Sequence, residues 1–299
     1  MIKIILLTAL IVGSGFSQTA LYGLEGWYNI TTVATAGGIG AVSNTDSDII
    51  NPAGIAGLTE QIQFSMIKYP AGISAQSALY VKTFDNSNIG IGLRHLNYGS
   101  FVATDENGFE NGTYSAGDTW ISTAWARKKQ NINFGVTGGV FISNIESYNA
   151  IAMVFSTGIV YNFVKSATRF GISFSNIGVF VTRYTDQKEN LPAKFILSAS
   201  NGLAHLPLDL NFDIEFNLYN DDYYWRFGGI FALPYNLQLT VGINSNNVAQ
   251  RTERSLIKKY LGSSAFGLGY AYKKYSIEIG GYSYGTGGWI YGTGLNIKF

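Results

Sequence analysis

No cysteine occurs in the 299 residues, which excludes disulfide frameworks and thiolate metal sites. A closed β-barrel needs neither, because its backbone hydrogen bonds are complete in themselves. Charge is also scarce. Charged residues make up 13% of the chain, against roughly 25% in ordinary soluble domains. The net charge of +1 excludes nucleic acid as a bulk electrostatic partner. Long apolar runs are missing too. Beyond the amino terminus, polar residues interrupt every apolar stretch well before the roughly 18 positions a membrane helix requires. Histidine is limited to His95 and His205. A Ser-His-acid site would need one of them beside a nucleophile at an outer rim. Their expected places, mid-strand and in a turn, do not offer that. Gly-x-Ser-x-Gly is absent, and the glycines at 285–288 and 292–294 belong to a turn and a strand rather than to a phosphate loop. A non-catalytic protein without cofactor or metal is expected.

What the chain does have is aromatic residues, glycine and alternation. Aromatics reach 15%, with 20 Tyr, 19 Phe and 36 Gly. Low charge with many aromatics suits a wall between lipid and water. At the amino terminus, Lys3, an apolar core from Ile4 to Val12, and Gly15-Phe16-Ser17 read as an export signal. Residues 1–17 are therefore expected to be removed, leaving Gln18 first.

Past residue 60, apolar and polar residues alternate at period two. Leu208, Leu210, Phe212, Ile214, Phe216 and Leu218 fall on one face of a strand, and Asp209, Asn211, Asp213, Glu215, Asn217 and Tyr219 on the other. In a barrel the first face meets lipid, and the carboxylates face a wet lumen. The same reading places strands at 62–69, 74–84, 88–98, 117–128, 131–142, 151–163 and 167–176. Seven more fall at 191–201, 208–219, 222–232, 235–244, 263–272, 274–284 and 289–299. Fourteen is even, as single-chain bacterial barrels require. The connections sort by parity. Short turns follow even strands, whereas odd strands lead into 99–116, 143–150, 177–190 and 245–262, the long outer loops. The expected fold is all-β: a transmembrane antiparallel barrel of about 14 strands over 61–299. A bacterial outer membrane is its expected place. The last strand, with Gly294, Leu295, Ile297 and terminal Phe299, resembles the recognition signal of the barrel-assembly machinery.

Residues 18–60 do not alternate. They are small and Gly-rich around 32–40, and Asn51-Pro52-Ala53-Gly54 marks a turn. A packed plug in the lumen or at the periplasmic mouth is expected, with Asn51 and Pro52 as its motif. The run from Ala36 to Ser43, then Asp46, Asp48 and Ile50 to Ala56, resembles the entry motif of the PorV/PorQ family of the FadL-like outer-membrane group. Three further stretches fit it: Leu96 to Phe101 with Thr104 to Gly108, Gly171 to Gly178, and Leu191-Pro192-Ala193. The resemblance implies a fourteen-stranded, non-catalytic barrel acting with type IX secretion, with secretion subunits or secreted cargo as partners.

Two outer loops carry the docking expectation. One presents Phe101, Phe109 and Tyr114, because exposed aromatics can anchor a partner. The other carries Arg251, Arg254, Lys258 and Lys259, suited to acidic protein or the phosphates of lipopolysaccharide. A docking scaffold in protein secretion is the leading expectation. A FadL-like channel for hydrophobic small molecules is the alternative. It would need an apolar pocket, a movable plug and a side opening at a strand kink. The acids of 209–215 count against a greasy conduit.

Overall fold

The computed structural model describes residues 21–42, 47–220, 222–245, 262–284 and 287–299. Its fourteen strands close into one antiparallel barrel, each pairing with its sequence neighbours and β1 with β14. The strands are β1 (Gln61–Lys68), β2 (Ser74–Phe84), β3 (Ser87–Thr104), β4 (Glu110–Lys129), β5 (Ile132–Ile145), β6 (Tyr148–Phe163) and β7 (Thr168–Thr182). They continue as β8 (Lys194–Gly202), β9 (Leu208–Asn217), β10 (Tyr223–Leu233), β11 (Leu237–Asn244), β12 (Ser264–Tyr272), β13 (Tyr275–Ser283) and β14 (Trp289–Lys298). All fourteen expected strands are present, and closure leaves no unpaired edge in the sheet.

Alternation holds around the wall. On β9, Phe212 and Phe216 are exposed outward while Asn211, Asp213 and Glu215 are buried inside. On β3, Ile89, Ile91 and Leu93 face out, whereas Arg94 is 1% exposed. Large apolar side chains left bare around a closed sheet are the lipid face of an outer-membrane barrel. Turns after even strands are short, as at 85–86, 130–131 and 273–274, which marks that end as periplasmic.

Two expected outer loops are instead strand. β3 and β4 run on to Thr104 and from Glu110, so 99–116 is a tall hairpin. Asp105 ties its tip, accepting from the amides of Asn107 and Phe109 at 2.9 Å each. β5 and β6 meet at a tight turn at 146–147, so 143–150 is no long loop either. In both cases a polar sequence hides the pairing, because strands above the membrane lack a lipid face and so lose the apolar half of the alternation. Leu191, Pro192 and Ala193 precede β8 rather than open it.

The non-alternating segment lies inside the barrel. It comprises a turn at Tyr22–Glu25, α1 (Ile30–Ala34), α2 (Ser47–Ile50) and a 3-10 turn at Pro52–Gly57. Asn29 caps α1, accepting from the Thr31 amide at 2.8 Å. Asn51 caps the last turn through Ala53, with Pro52 at its first position, where a missing N–H costs nothing. α1 packs against β11 to β14 and β1, while α2 and the Pro52 turn pack against β3 to β7. The plug thus braces opposite walls. Residues 1–20, on which the expected export signal falls, lie outside the described residues.

Candidate functional site

The lumen wall is polar because it holds the plug, not because it is wet. Asp213 is 1% exposed and Glu215 4%, which corrects the expectation that these carboxylates face water. Asp213 Oδ2 accepts from the Gly40 amide at 3.0 Å. Glu215 accepts from Lys194 at 2.7 Å and from Arg226 at 2.6 Å. Lys194 also reaches Glu25 of the plug at 2.7 Å. On the far wall, Arg94 pairs with Asp48 at 2.5 Å, both essentially unexposed. Ser122 also donates to Asp48 at 3.3 Å, and Thr137 donates to the Asp48 carbonyl. Thr31 donates to Glu278 at 2.7 Å. A buried charge is costly unless paired; Asp48 and Glu25 of the plug pair with Arg94 and Lys194, while Glu215 is paired within the wall by Lys194 and Arg226.

Glycines of the wall let the plug come close. A Cβ on Gly158 would stand 2.1 Å from Asn51 Oδ1, and one on Gly135 would stand 2.4 Å from the Pro52 carbonyl carbon. Asn51 then donates from Nδ2 to the Gly40 carbonyl at 2.9 Å, joining the two arms of the plug. Gly294 meets Ile30 in the same way, at 2.6 Å, so this position of the assembly-signal pattern is also a plug contact. Leu295 and Ile297 pair with Phe64 and Ile62 of β1, and the Phe299 amide donates to the Glu60 carbonyl.

Above the plug, at the outer end, lies a vestibule of about 550 Å³. Tyr22, Glu25, Trp27, Tyr69, Lys194 and Tyr224 are among its lining residues. Tyr69 clamps Trp27, its hydroxyl accepting from the Trp27 amide at 2.8 Å and donating to the carbonyl at 2.6 Å. A smaller space of about 50 Å³ adjoins it beside Ser175 and Asn176. There β7 kinks. Asn176 has φ 58°, the register against β6 slips between Phe155 and Thr157, and pairing with β8 ends at Ser175 and Lys194. Asn176 donates to the plug's Leu24 carbonyl at 3.3 Å.

A second pocket of about 320 Å³ sits at the outer rim, lined by Ala71, Ile73, Tyr98, Phe101, Tyr114, Ala116 and Ile145. Phe101 stacks on Tyr114 with ring centroids 5.4 Å apart. Tyr114 and Ala116 share strand parity with the buried Asp118 and Trp120, so this lining turns towards the mouth. Phe101 and Tyr114 therefore wall a pocket in the structure. Phe109, at the hairpin tip, is 71% exposed and stands apart from them. Arg251, Arg254, Lys258 and Lys259 lie outside the described residues. Sequence reasoning missed Arg94, Lys194 and the role of the wall glycines. The only local sign of them was a cation at a lumen-parity position of a strand.

Among solved structures, the chain is similar to the toluene transporter TodX of Pseudomonas putida. Identity is 12% and the TM-score 0.60, over 90% of this chain and 96% of that one. It is also similar to two mutants described as TodX monoaromatic hydrocarbon channels. The deltaS2 mutant is 14% identical, TM-score 0.57, over 90% and 96% of the two chains. The deltaS2S3 mutant is 12% identical, TM-score 0.57, over 90% and 97%. At such identities the likeness is one of fold alone, that of a closed outer-membrane β-barrel. No protein-family model matches the chain, and no curated protein matches it by sequence.

Proposed function

We propose that this chain is a plugged outer-membrane channel for the uptake of hydrophobic small molecules. The observation that carries the reading is the apolar pocket at the outer mouth, where Phe101, Tyr114, Ile73 and Ile145 form a lining suited to a small apolar guest. The TodX-like fold supports it, since those barrels are described as hydrocarbon channels. The plug, hung on side-chain contacts rather than on the sheet, is the movable closure such a channel needs. The kink at Asn176 adds a weak point in the wall beside the plug tip.

Docking in protein secretion is less well supported. Two of its aromatics face the pocket, and among the described residues of the docking set Phe109 alone stands clear, far short of the roughly 800 Å² per partner that a stable interface buries.

The test is uptake of a monoaromatic hydrocarbon into proteoliposomes. Truncating Phe101 and Tyr114 together to Ala removes the stacked pair, which is worth about 1 kcal/mol beyond the area it buries. Uptake at limiting concentration is expected to fall about tenfold, with barrel folding unchanged. Uptake at the rate of protein-free vesicles by the wild type, or no effect of the truncation, would turn the choice back to docking.

A further inference from the structure

The periplasmic rim carries a charge pattern that uptake does not require. Arg127, Lys128 and Lys129 end β4 there, and with Asn86, Gln130 and Phe134 they line a concave space of about 560 Å³. Among the described residues none of the three cations has a carboxylate partner. Asp85 is the acid of the neighbouring turn.

Strand parity gives the direction of this surface. Trp125 faces lipid on β4, so Arg127 and Lys129, two and four residues on, lie on the same outward face. In register, Phe134 on β5 stands beside Arg127, and Ser87 and then Phe84 follow on the other side. Trp125 meets Phe134 edge-on at 5.3 Å. Lys82 lies over the Phe84 ring at 5.5 Å. Across the barrel, Lys273 and Lys274 lie over Tyr272 and Tyr275 at 5.3 and 5.5 Å. Aromatic rings at this depth mark the membrane–water interface. Cations just beyond them stand level with headgroups, and their stems run along the rings.

We propose that the rim pocket, with Arg127 and Lys129 on its outward face and Lys128 at the strand end between them, binds the phosphate of anionic phospholipids in the periplasmic leaflet. The planar Arg fork suits a phosphate's paired oxygens, the lysines add point charges, and Phe134 lies against the upper acyl chain. An anionic lipid carries a net charge that a zwitterionic one lacks, so the rim selects for it. Among the described residues the opposite end carries both signs, with Asp105, Glu106, Glu110 and Glu146 beside Lys68, Arg183 and Lys188. None of this depends on what passes through the lumen.

The experiment reconstitutes the mature protein in vesicles of equal phosphatidylglycerol and phosphatidylethanolamine, then extracts it mildly and measures the lipids it retains by native mass spectrometry. Phosphatidylglycerol is expected to be enriched over its share in the vesicle. Surface cations contribute about 1 kcal/mol each towards anionic lipid. The variant Arg127→Gln, Lys128→Gln, Lys129→Gln should therefore lose that enrichment by up to about a hundredfold. Arg183→Gln with Lys188→Gln, on the outer rim, should keep it. Should the triple variant fail to insert, the wild type decides alone. Its enrichment must fall in molar salt, where the Debye length is about 3 Å. Equal retention of both lipids, or enrichment indifferent to salt or to the triple change, would overturn the assignment and leave the rim to a soluble acidic partner.

Discussion

Replacing Asp48 by Ala is expected to release the plug while the barrel stays closed. Arg94 is held at 2.5 Å from Asp48 with no access to water, above the Trp120 ring at 5.7 Å. Removing one partner of a buried pair leaves an uncompensated charge and costs about 3–5 kcal/mol. The strand ladder is continuous without the plug, so that cost falls on plug docking. At about 1.4 kcal/mol per factor of ten, undocking should become roughly a hundred- to a few-thousandfold more frequent. Limited proteolysis between residues 21 and 60 checks this, together with ion conductance in planar bilayers. Cleavage and conductance should both rise, and the heat-modifiable migration of a folded barrel should persist. The pair Asp48→Leu with Arg94→Met should restore most of the protection, because apolar residues of similar volume replace buried ion pairs at little cost. Unchanged protease resistance in the Ala variant would mean that the pair does not hold the plug.

Gly158→Val is expected to have an effect of similar size by the opposite route, adding atoms rather than removing charge. A Cβ there would stand 2.1 Å from Asn51 Oδ1 and 2.8 Å from its Cγ, and the Cβ of Ser173 leaves no room on the other side at 3.0 Å. The Asn51 side chain must leave. It then surrenders the cap on the Ala53 amide and the bond to the Gly40 carbonyl, both buried, at about 1–3 kcal/mol for each group left unsatisfied. The same proteolysis assay should show the plug loosened. Thermal unfolding of the barrel should shift little, since Gly158 sits mid-strand in an intact ladder with Gly135 and Ser173. Adding Asn51→Ala removes the clashing atoms, so the double variant should be less impaired than the two single effects summed. Additivity would show that Asn51 and Gly158 do not compete for one space.

The period-two pattern that marks β9, with Phe212 and Phe216 outward and Asp213 and Glu215 inward, is a local property of the chain. So are the short turns at 85–86 and 273–274. Barrel and strand number were therefore legible directly, because each strand records its own lipid face in adjacent residues. The amino-terminal segment was legible only as an exception to that pattern.

Its place, and the use of the lumen, were decided by contacts the chain does not announce. Asp48 meets Arg94 across 46 residues, and Gly40 meets Asp213 across 173. Asn51 fits only because Gly158 lacks a side chain. Sequence alone determined that Asp213 and Glu215 face inward. Only the tertiary structure decided that they face a plug instead of water, since burial depends on what fills the lumen. Likewise Phe101 and Tyr114 read as exposed loop aromatics until the pairing of β3 with β4, whose register the polar hairpin conceals, turned them over the mouth.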